Sequence, residues 1–427
     1  MKKQLFLSLI CICLGLKNGF AQSQNLTISN KENYALTDKA ISILRKNLKN
    51  APNTEGVFPL LKNSQNTSIP AQLIDLDSDK RWDELFFVIN LPAKGQETLH
   101  LEWSNIEQPV PHKTNIRFGK RSSATAPVEQ IVRDTFFPKD LMKLTGFQPY
   151  QTDGPMWEND KVGFRHYFDG RNAKDLFGKR IAEISPDSVG LTPEKAVIDN
   201  YHVLRFWGRD ILPVGNTEGL SVGLGGVGLL YQNQLRRIGV TANDSVHTVE
   251  SSILRVQNQS GLKASLSLQF NHWQPDKGRD YQVFENPMIW QGMYAYQNTV
   301  TMKGLRGDEQ IVIGLPKAQT EKPLTIVEQG DWVILSTHDA QTYNKEYIVG
   351  LAIIVPKKQY LGWGESPKTG AFSVSYFAKM KASKPITYYA VGCWELSDTR
   401  FKEATFFNNY LRELVKQLGA KVKVKMN

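Results

Sequence analysis

Along most of the 427-residue chain, apolar positions recur in short runs broken by Gly, Pro, Asn and Asp. Residues 85–91 form the continuous apolar run of a buried strand, and 98–103 alternate apolar with polar. Further short β-rich runs occupy 251–256, 262–270, 310–313, 332–336, 347–355, 372–377 and 386–392. Many short strands with turns between them predict a mainly β protein, a large sandwich with few helices. One helix is predicted, over 405–418, where Phe407, Leu411, Leu414 and Leu418 share a stripe. The run 40–48 suits helix or strand. An extended 161–168 puts Val162, Phe164, His166 and Phe168 on one face, and Lys161, Gly163, Arg165 and Tyr167 on the other. The first face reads as core. The second carries two cations and a phenol beside a glycine, which suits the wall of an anion site but equally a charged strand in water.

The first 21 residues read as a secretory signal. Lys2 and Lys3 precede an apolar run from Leu5 to Leu16, too short to cross a bilayer core of about 30 Å, and Gly19-Phe20-Ala21 offers a cleavage site. The protein is therefore expected to be exported and, in a Gram-negative host, periplasmic. Removing the leader leaves one cysteine, Cys393, so no internal disulfide is expected. The formal charge is +10, of which the leader carries Lys2, Lys3 and Lys17, leaving +7. No basic helix or dense Lys/Arg run points to nucleic acid or to membrane insertion. Cations interleaved with Trp and Tyr fit an anionic oligosaccharide, because aromatic faces stack on sugar rings while Arg and Lys pair with carboxylates or sulfates. The chain divides into the leader, an N-terminal β region over 22–110 packed on the main body, and a main sandwich over 111–427, with 105–135 as the connecting stretch. Oligomeric state is not legible.

Two blocks concentrate chemistry. Residues 157–172 hold Trp157, Glu158, Asn159, Asp160, Arg165, Tyr167 and Arg171. Residues 201–210 hold His202, Arg205, Trp207, Arg209 and Asp210, which combine an acid–base group, cations and a stacking platform. Asp75, Asp77, Asp79 and Asp83 space carboxylates as a loop around a structural Ca²⁺ would, although Lys80 and Phe86 break the EF-hand pattern. Without metal, the same run is an ordinary Asp-rich turn. No other cofactor is required. Gly223, Gly225, Gly226 and Gly228 match a dinucleotide fingerprint by spacing, but no βαβ alternation surrounds them; close approach of strands is the better reading. There is no zinc-spaced histidine pair, Gly-x-Ser-x-Gly elbow or P-loop.

At these blocks the chain resembles a family of exported Bacteroidota proteins catalogued as a domain of unknown function and often encoded in polysaccharide-utilisation loci. The matching features begin with Ile69-Pro70-Ala71-Gln72 and the acidic loop, then the block from Trp157 to Tyr167. They continue with Asp169-Gly170-Arg171-Asn172, Asp175 to Lys179, Tyr201-His202, Trp207 to Asp210, and Val214-Gly215. Lys80 departs from the glycine expected in the acidic loop. Members of this family resemble the oligosaccharide dehydratases of ulvan breakdown. The resemblance implies a mutarotase-like β-sandwich, as in several polysaccharide lyases. It also implies loss of water from a terminal glucuronic or iduronic acid to leave a 4,5-unsaturated residue.

Such an elimination starts at a C5 proton α to a carboxylate. The site must neutralise that carboxylate, supply a base for C5–H and supply an acid for the leaving 4-hydroxyl. The sequence reading gives Arg165 the carboxylate, with Arg205 or Arg209 assisting. His202 is the first choice of base, with Tyr167 as acid or alternative base. Trp157 and Trp207 would stack on sugar rings, while Glu158, Asn159, Asp160, Asp210 and Arg171 would bind hydroxyls or orient the cations. A polysaccharide lyase, a non-catalytic carbohydrate-binding protein and an epimerase stay open on the same residues.

Overall fold

The structure, a computed structural model, describes residues 23–49, 51–77, 79–212, 220–241, 244–317 and 319–426. The expected leader and Val214-Gly215 lie outside the described residues. The protein is mainly β, as the apolar pattern predicts, and two α-helices occur among the described residues, Met142–Thr145 and Ala404–Gly419. The run 40–48 divides: its first part belongs to the strand Leu36–Leu44, which pairs with Glu84–Leu91 and buries Ile41 and Ile43, and Arg45–Asn47 form a 3-10 turn. The run 372–377 is displaced along the chain, to the strand Ser375–Lys381. Helix Ala404–Gly419 buries Phe407, Leu411 and Leu414 of the predicted stripe together with Val415, while Leu418 is only half-buried. No described helix is long and apolar enough to cross a membrane.

The largest sheet is antiparallel and runs from Arg133–Phe136 through Val249–Asn258, Lys263–Trp273 and Tyr281–Glu285 to Ala295–Lys303. It continues through Ile386–Trp394, Ile348–Pro356 and Trp332–Ala340 to Thr325–Gln329. Two smaller sheets face it. One orders Gly208–Asp210, Lys174–Lys179, Val162–His166, Met156–Asn159, Thr114–Arg117 and Ser260–Gly261; the other is centred on Val227–Tyr231 and Gln310–Pro316. Their inner faces share one core, in which Phe164 and Trp157 meet Tyr296 at ring distances of 4.6 and 5.3 Å. The layers touch closely: a Cβ on Gly178 would come within 2.3 Å of Trp394. The glycine-rich run makes the tight crossing between the two smaller sheets. Gly223 has φ +77, a Cβ there would lie 1.7 Å from the Lys174 carbonyl oxygen, and Gly225 N–H donates to Gly314 O at 2.9 Å.

Two further sheets at the N-terminus enclose their own core of Leu26, Phe87, Leu99 and Leu101. The last strand, Val422–Met426, pairs with Gln24–Asn30, so the chain end returns to this unit, a feature absent from the division at residue 110. Its exposed Lys423 and Lys425 line a sheet edge, where charge discourages pairing with another chain. The unit is fixed to the large sheet by polar contacts. Gln72 Nε2 donates to Ser260 O and Lys263 O, and Lys263 Nζ meets Glu84 at 2.7 Å.

Candidate active site

The period-two reading of 161–168 is right about faces. Val162, Phe164 and Phe168 enter the shared core, and Arg165 and Tyr167 lie on the opposite side with Gly163. It errs about what covers that side. The connection 180–207 folds back over it and packs Val189, Tyr201 and Trp207 against Met156 and Phe177. Arg165 is thereby fully buried. Its Nη2 donates to the Tyr167 hydroxyl at 2.5 Å, to Asp210 at 2.9 Å and to Asp175, and its Nη1 lies 3.6 Å from Asp153. The guanidinium sits 4.2 Å from the Tyr167 ring centre and 5.2 Å from that of Tyr201. Arg165 is therefore no clamp for a substrate carboxylate: it is sealed from the cleft and its charge is taken by Asp175, Asp210 and Asp153, so it positions the groups that border the cavity.

That cavity is a cleft of about 520 Å³. It gathers Tyr167, Arg171, His202 and Asp210 from the sequence-derived set and adds Arg121, Gln148, Asp153, Asp199 and Tyr343. His202 Nδ1 lies 3.3 Å from Asp210 Oδ2, the same oxygen that Arg165 holds, while its side chain stays 42% exposed. This contact raises the imidazole pKa, against partial burial. Tyr167 hydroxyl donates to Asp175 Oδ2 at 3.0 Å. Burial pushes the phenol far above its ordinary range, with Arg165 opposing and Asp175 adding. Burial and the neighbouring Asp210 charge push Asp175 up to about 7, with Arg165 opposing. Arg171 stacks 3.9 Å from the Tyr167 ring centre and is gripped by Asp169 and, at 3.3 Å, by Asp153. Burial raises Asp153. Arg121 differs from the other cleft cations: it donates to the Gln148 and Ala124 carbonyl oxygens at 2.8 and 2.7 Å and makes no salt bridge among the described residues.

Several expected substrate contacts lie elsewhere. Trp157 is 1% exposed and belongs to the core against Phe164 and Tyr296, and Trp207, at the end of the covering segment, is buried with its ring stacked on Phe177. Neither can face a sugar. Glu158 is sealed between Arg117 and Lys179, which hold it at about 2 against the upward push of burial. Asn159 donates to the Trp290 and Met293 carbonyl oxygens, and Asp160 accepts from Gly292 N–H, so both fix the 290–293 turn. Arg209 pairs with Glu346 at 2.9 Å, and Arg205, exposed, donates to Asn200 O. Neither borders the cleft. Of the acidic loop, Asp75, Asp77 and Asp83 bring carboxylate oxygens within 4.8 Å of one another, a hard donor set, while Asp79 is outside the group and accepts from Arg81 N–H.

The groups missed in the sequence are mostly acids. Asp153 ends the short turn Gln151–Asp153 and Asp199 lies in the connection 180–207, where nothing in the local sequence marks either as bordering a cleft. Asp175 is the one acid of the fully buried strand Lys174–Lys179 and lies directly opposite Arg165 in the ladder. The cleft is thus not the cation-rich wall expected, since Asp153, Asp199 and Asp210 face Arg121 and Arg171 within it.

The chain matches the family model described as Domain of unknown function (DUF4861) over residues 28–424 and belongs to that family. No curated protein matches it. Among solved structures it is similar to a protein in the glycosyl hydrolase family 38 from Enterococcus faecalis, at TM-score 0.47 and 9% identity, over 94% of this chain and 47% of that one. It is also similar to an alpha-mannosidase from Enterococcus faecalis V583, at TM-score 0.45 and 10% identity, over 94% and 46%. The chain spans about half the length of each.

Proposed function

We propose that this family member is an exported, carbohydrate-active dehydratase that removes water across C4–C5 of a terminal uronic acid in an anionic, ulvan-type oligosaccharide. The observation that carries the reading is the linked pair at the cleft: His202 held by Asp210, and Tyr167 held by Arg165, with Arg165 joining the two acids behind them. The resemblance to ulvan oligosaccharide dehydratases supports the same reaction. Cleft volume supports action on a chain end, because a cavity of this size lies in the usual ligand range of about 300–1,000 Å³.

In this reading Arg121 receives the substrate carboxylate, since its charge is not already taken by a protein acid. With Nδ1 turned to Asp210, His202 offers Nε2 to the cleft and removes the C5 proton. Tyr167, kept protonated by burial, is the donor rather than the base. As the C5–H electron pair forms the C4=C5 bond, the C4–O bond breaks and the Tyr167 proton turns from Asp175 to the leaving oxygen, which departs as water. The resulting phenolate is stabilised by Arg165, and the proton on His202 returns through solvent. Asp153 and Asp199 bind hydroxyls, and Tyr343, 54% exposed at the rim, replaces the buried tryptophans as the stacking surface. The test is ultraviolet detection of a conjugated alkene from uronate-ended oligosaccharides, with His202→Ala and Tyr167→Phe. Both variants should lose most of the rate; retained rates in both would place the chemistry elsewhere.

A second reading is glycoside hydrolysis, favoured by one observation: two carboxyl groups, Asp153 and Asp199, border the same cleft, and burial shifts Asp153 upward against its arginine neighbours. It would give two fragments whose masses sum to substrate plus water, with no alkene.

A further inference from the structure

A second cavity, of about 680 Å³, opens along the seam where the strand Leu36–Leu44, the turn 290–293 and the helix Ala404–Gly419 meet. It shares no residue with the cleft around His202. Tyr34, Trp290, Tyr389 and Tyr410 border it. Their rings are braced: Trp290 and Tyr389 meet edge to face at 6.4 Å, Tyr389 hydroxyl donates to Gln297 Oε1 at 2.9 Å, and Tyr410 hydroxyl accepts from Tyr294 N–H. The polar groups divide into two sets. Gln417 and Lys39 are engaged across the seam: Gln417 Nε2 donates to Ala35 O, and Lys39 Nζ donates to Gln417 O at 2.7 Å. Glu413 pairs with Lys416. By contrast, among the described residues the Asp38 carboxylate and the Gln291 amide make no hydrogen bond or ion pair, although both border the cavity.

Asp38 is held in an unusual conformation. Its φ is +48, its N–H donates to Asn90 Oδ1 at 2.9 Å, and its carboxylate lies so close above Gly292, itself at φ +88, that a Cβ there would come within 2.7 Å of Asp38 Oδ2. The left-handed φ falls at a register shift in the strand, a conformation aspartate adopts more readily than most residues, and it leaves the carboxylate over Gly292 at the cavity border. A fixed carboxylate, a neighbouring amide and a tryptophan edge recognise vicinal hydroxyls on a ring with an apolar face. The acid that would accept those hydroxyls also repels carboxylates and sulfates.

We propose that this seam is a second carbohydrate site, selective for an uncharged sugar residue, in which Asp38 and Gln291 bind hydroxyls and Trp290 packs against the ring. The site does not depend on the reaction assigned to the cleft.

The test is calorimetric titration of the whole protein with methyl glycosides of a neutral hexose, a pentose and a 6-deoxyhexose, and with methyl glucuronide. The variants are Asp38→Asn, Gln291→Ala and His202→Ala. Asparagine tolerates left-handed backbone, so Asp38→Asn retains the fold, which an unchanged thermal melt verifies. Saturable binding of at least one neutral glycoside is expected, weakened about tenfold or more by Asp38→Asn and by Gln291→Ala, as for a lost hydrogen bond to a constrained partner. His202→Ala should leave it intact, and methyl glucuronide should bind the seam more weakly. Absence of binding by every neutral glycoside, indifference to both seam variants, or loss in His202→Ala would each overturn the proposal.

Discussion

The cleft and the seam are cavities of similar size built on opposite terms. In the cleft nearly every polar group is tied to another: His202 to Asp210, Tyr167 and both acids to Arg165, Arg171 to Asp169 and Asp153. In the seam the rings are braced, while Asp38 and Gln291 are left for a visitor. A network of mutually held acids and bases suits proton transfer, because it sets protonation states and orientation before substrate arrives. A fixed acceptor beside aromatic edges suits recognition alone.

The largest expected break in the comparison is His202→Ala. Loss of a positioned base should lower kcat by about 10²–10⁴-fold, read by alkene formation, with seam binding unchanged. Next is Arg165→Met. It leaves Asp175 and Asp210 buried without their cation, so unfolding in urea should show a loss of about 3–5 kcal/mol, far more than a surface change would give. Arg121→Ala should act on binding more than on chemistry. Removing a charged contact worth about 1.5–3 kcal/mol should raise KM by about tenfold or more while kcat changes less.

Two pH effects sharpen the picture. As a base His202 works unprotonated, so kcat/KM should rise with pH through its raised pKa, and Asp210→Asn, which removes the cause, should move that rise to lower pH. Folding favours protonated Asp175. Its contribution to stability is complete below the usual carboxylate range and fades as pH climbs through about 7. Asp175→Asn should flatten that decline in urea midpoints between acid and neutral pH. The smallest effect belongs to Arg205→Ala: exposed and away from the cleft, it should shift stability by less than about 0.5 kcal/mol and leave KM alone.

Secondary structure was largely legible, because period-two alternation and apolar runs report which strand face is buried. The helix at 405–418 and the faces of 161–168 followed directly. What one sequence could not report is which element lies on top. The segment 180–207 has no strong periodicity, yet by covering the outer face of Val162–His166 it turns Arg165 from a surface cation into a buried post and removes Trp207 from solvent. The same blindness placed Trp157 at a sugar, although its neighbours in the ladder put it inward. His202 and Tyr167, which the structure brings to the cleft, stood out because acid–base residues amid arginines are informative by type. Asp153, Asp199 and Arg121 were not, because ordinary loop charges acquire meaning only once the chain brings them to one cleft.

The central claim, elimination of water at the cleft, is tested most directly by mass spectrometry of uronic-acid-ended oligosaccharides incubated with the wild-type protein and with His202→Ala. The account predicts an uncut product lighter by one water, carrying a conjugated alkene, formed by the wild type and almost absent with the variant. Two fragments, an unchanged substrate across the oligosaccharides tried, or the same dehydrated product at full rate with His202→Ala would contradict it.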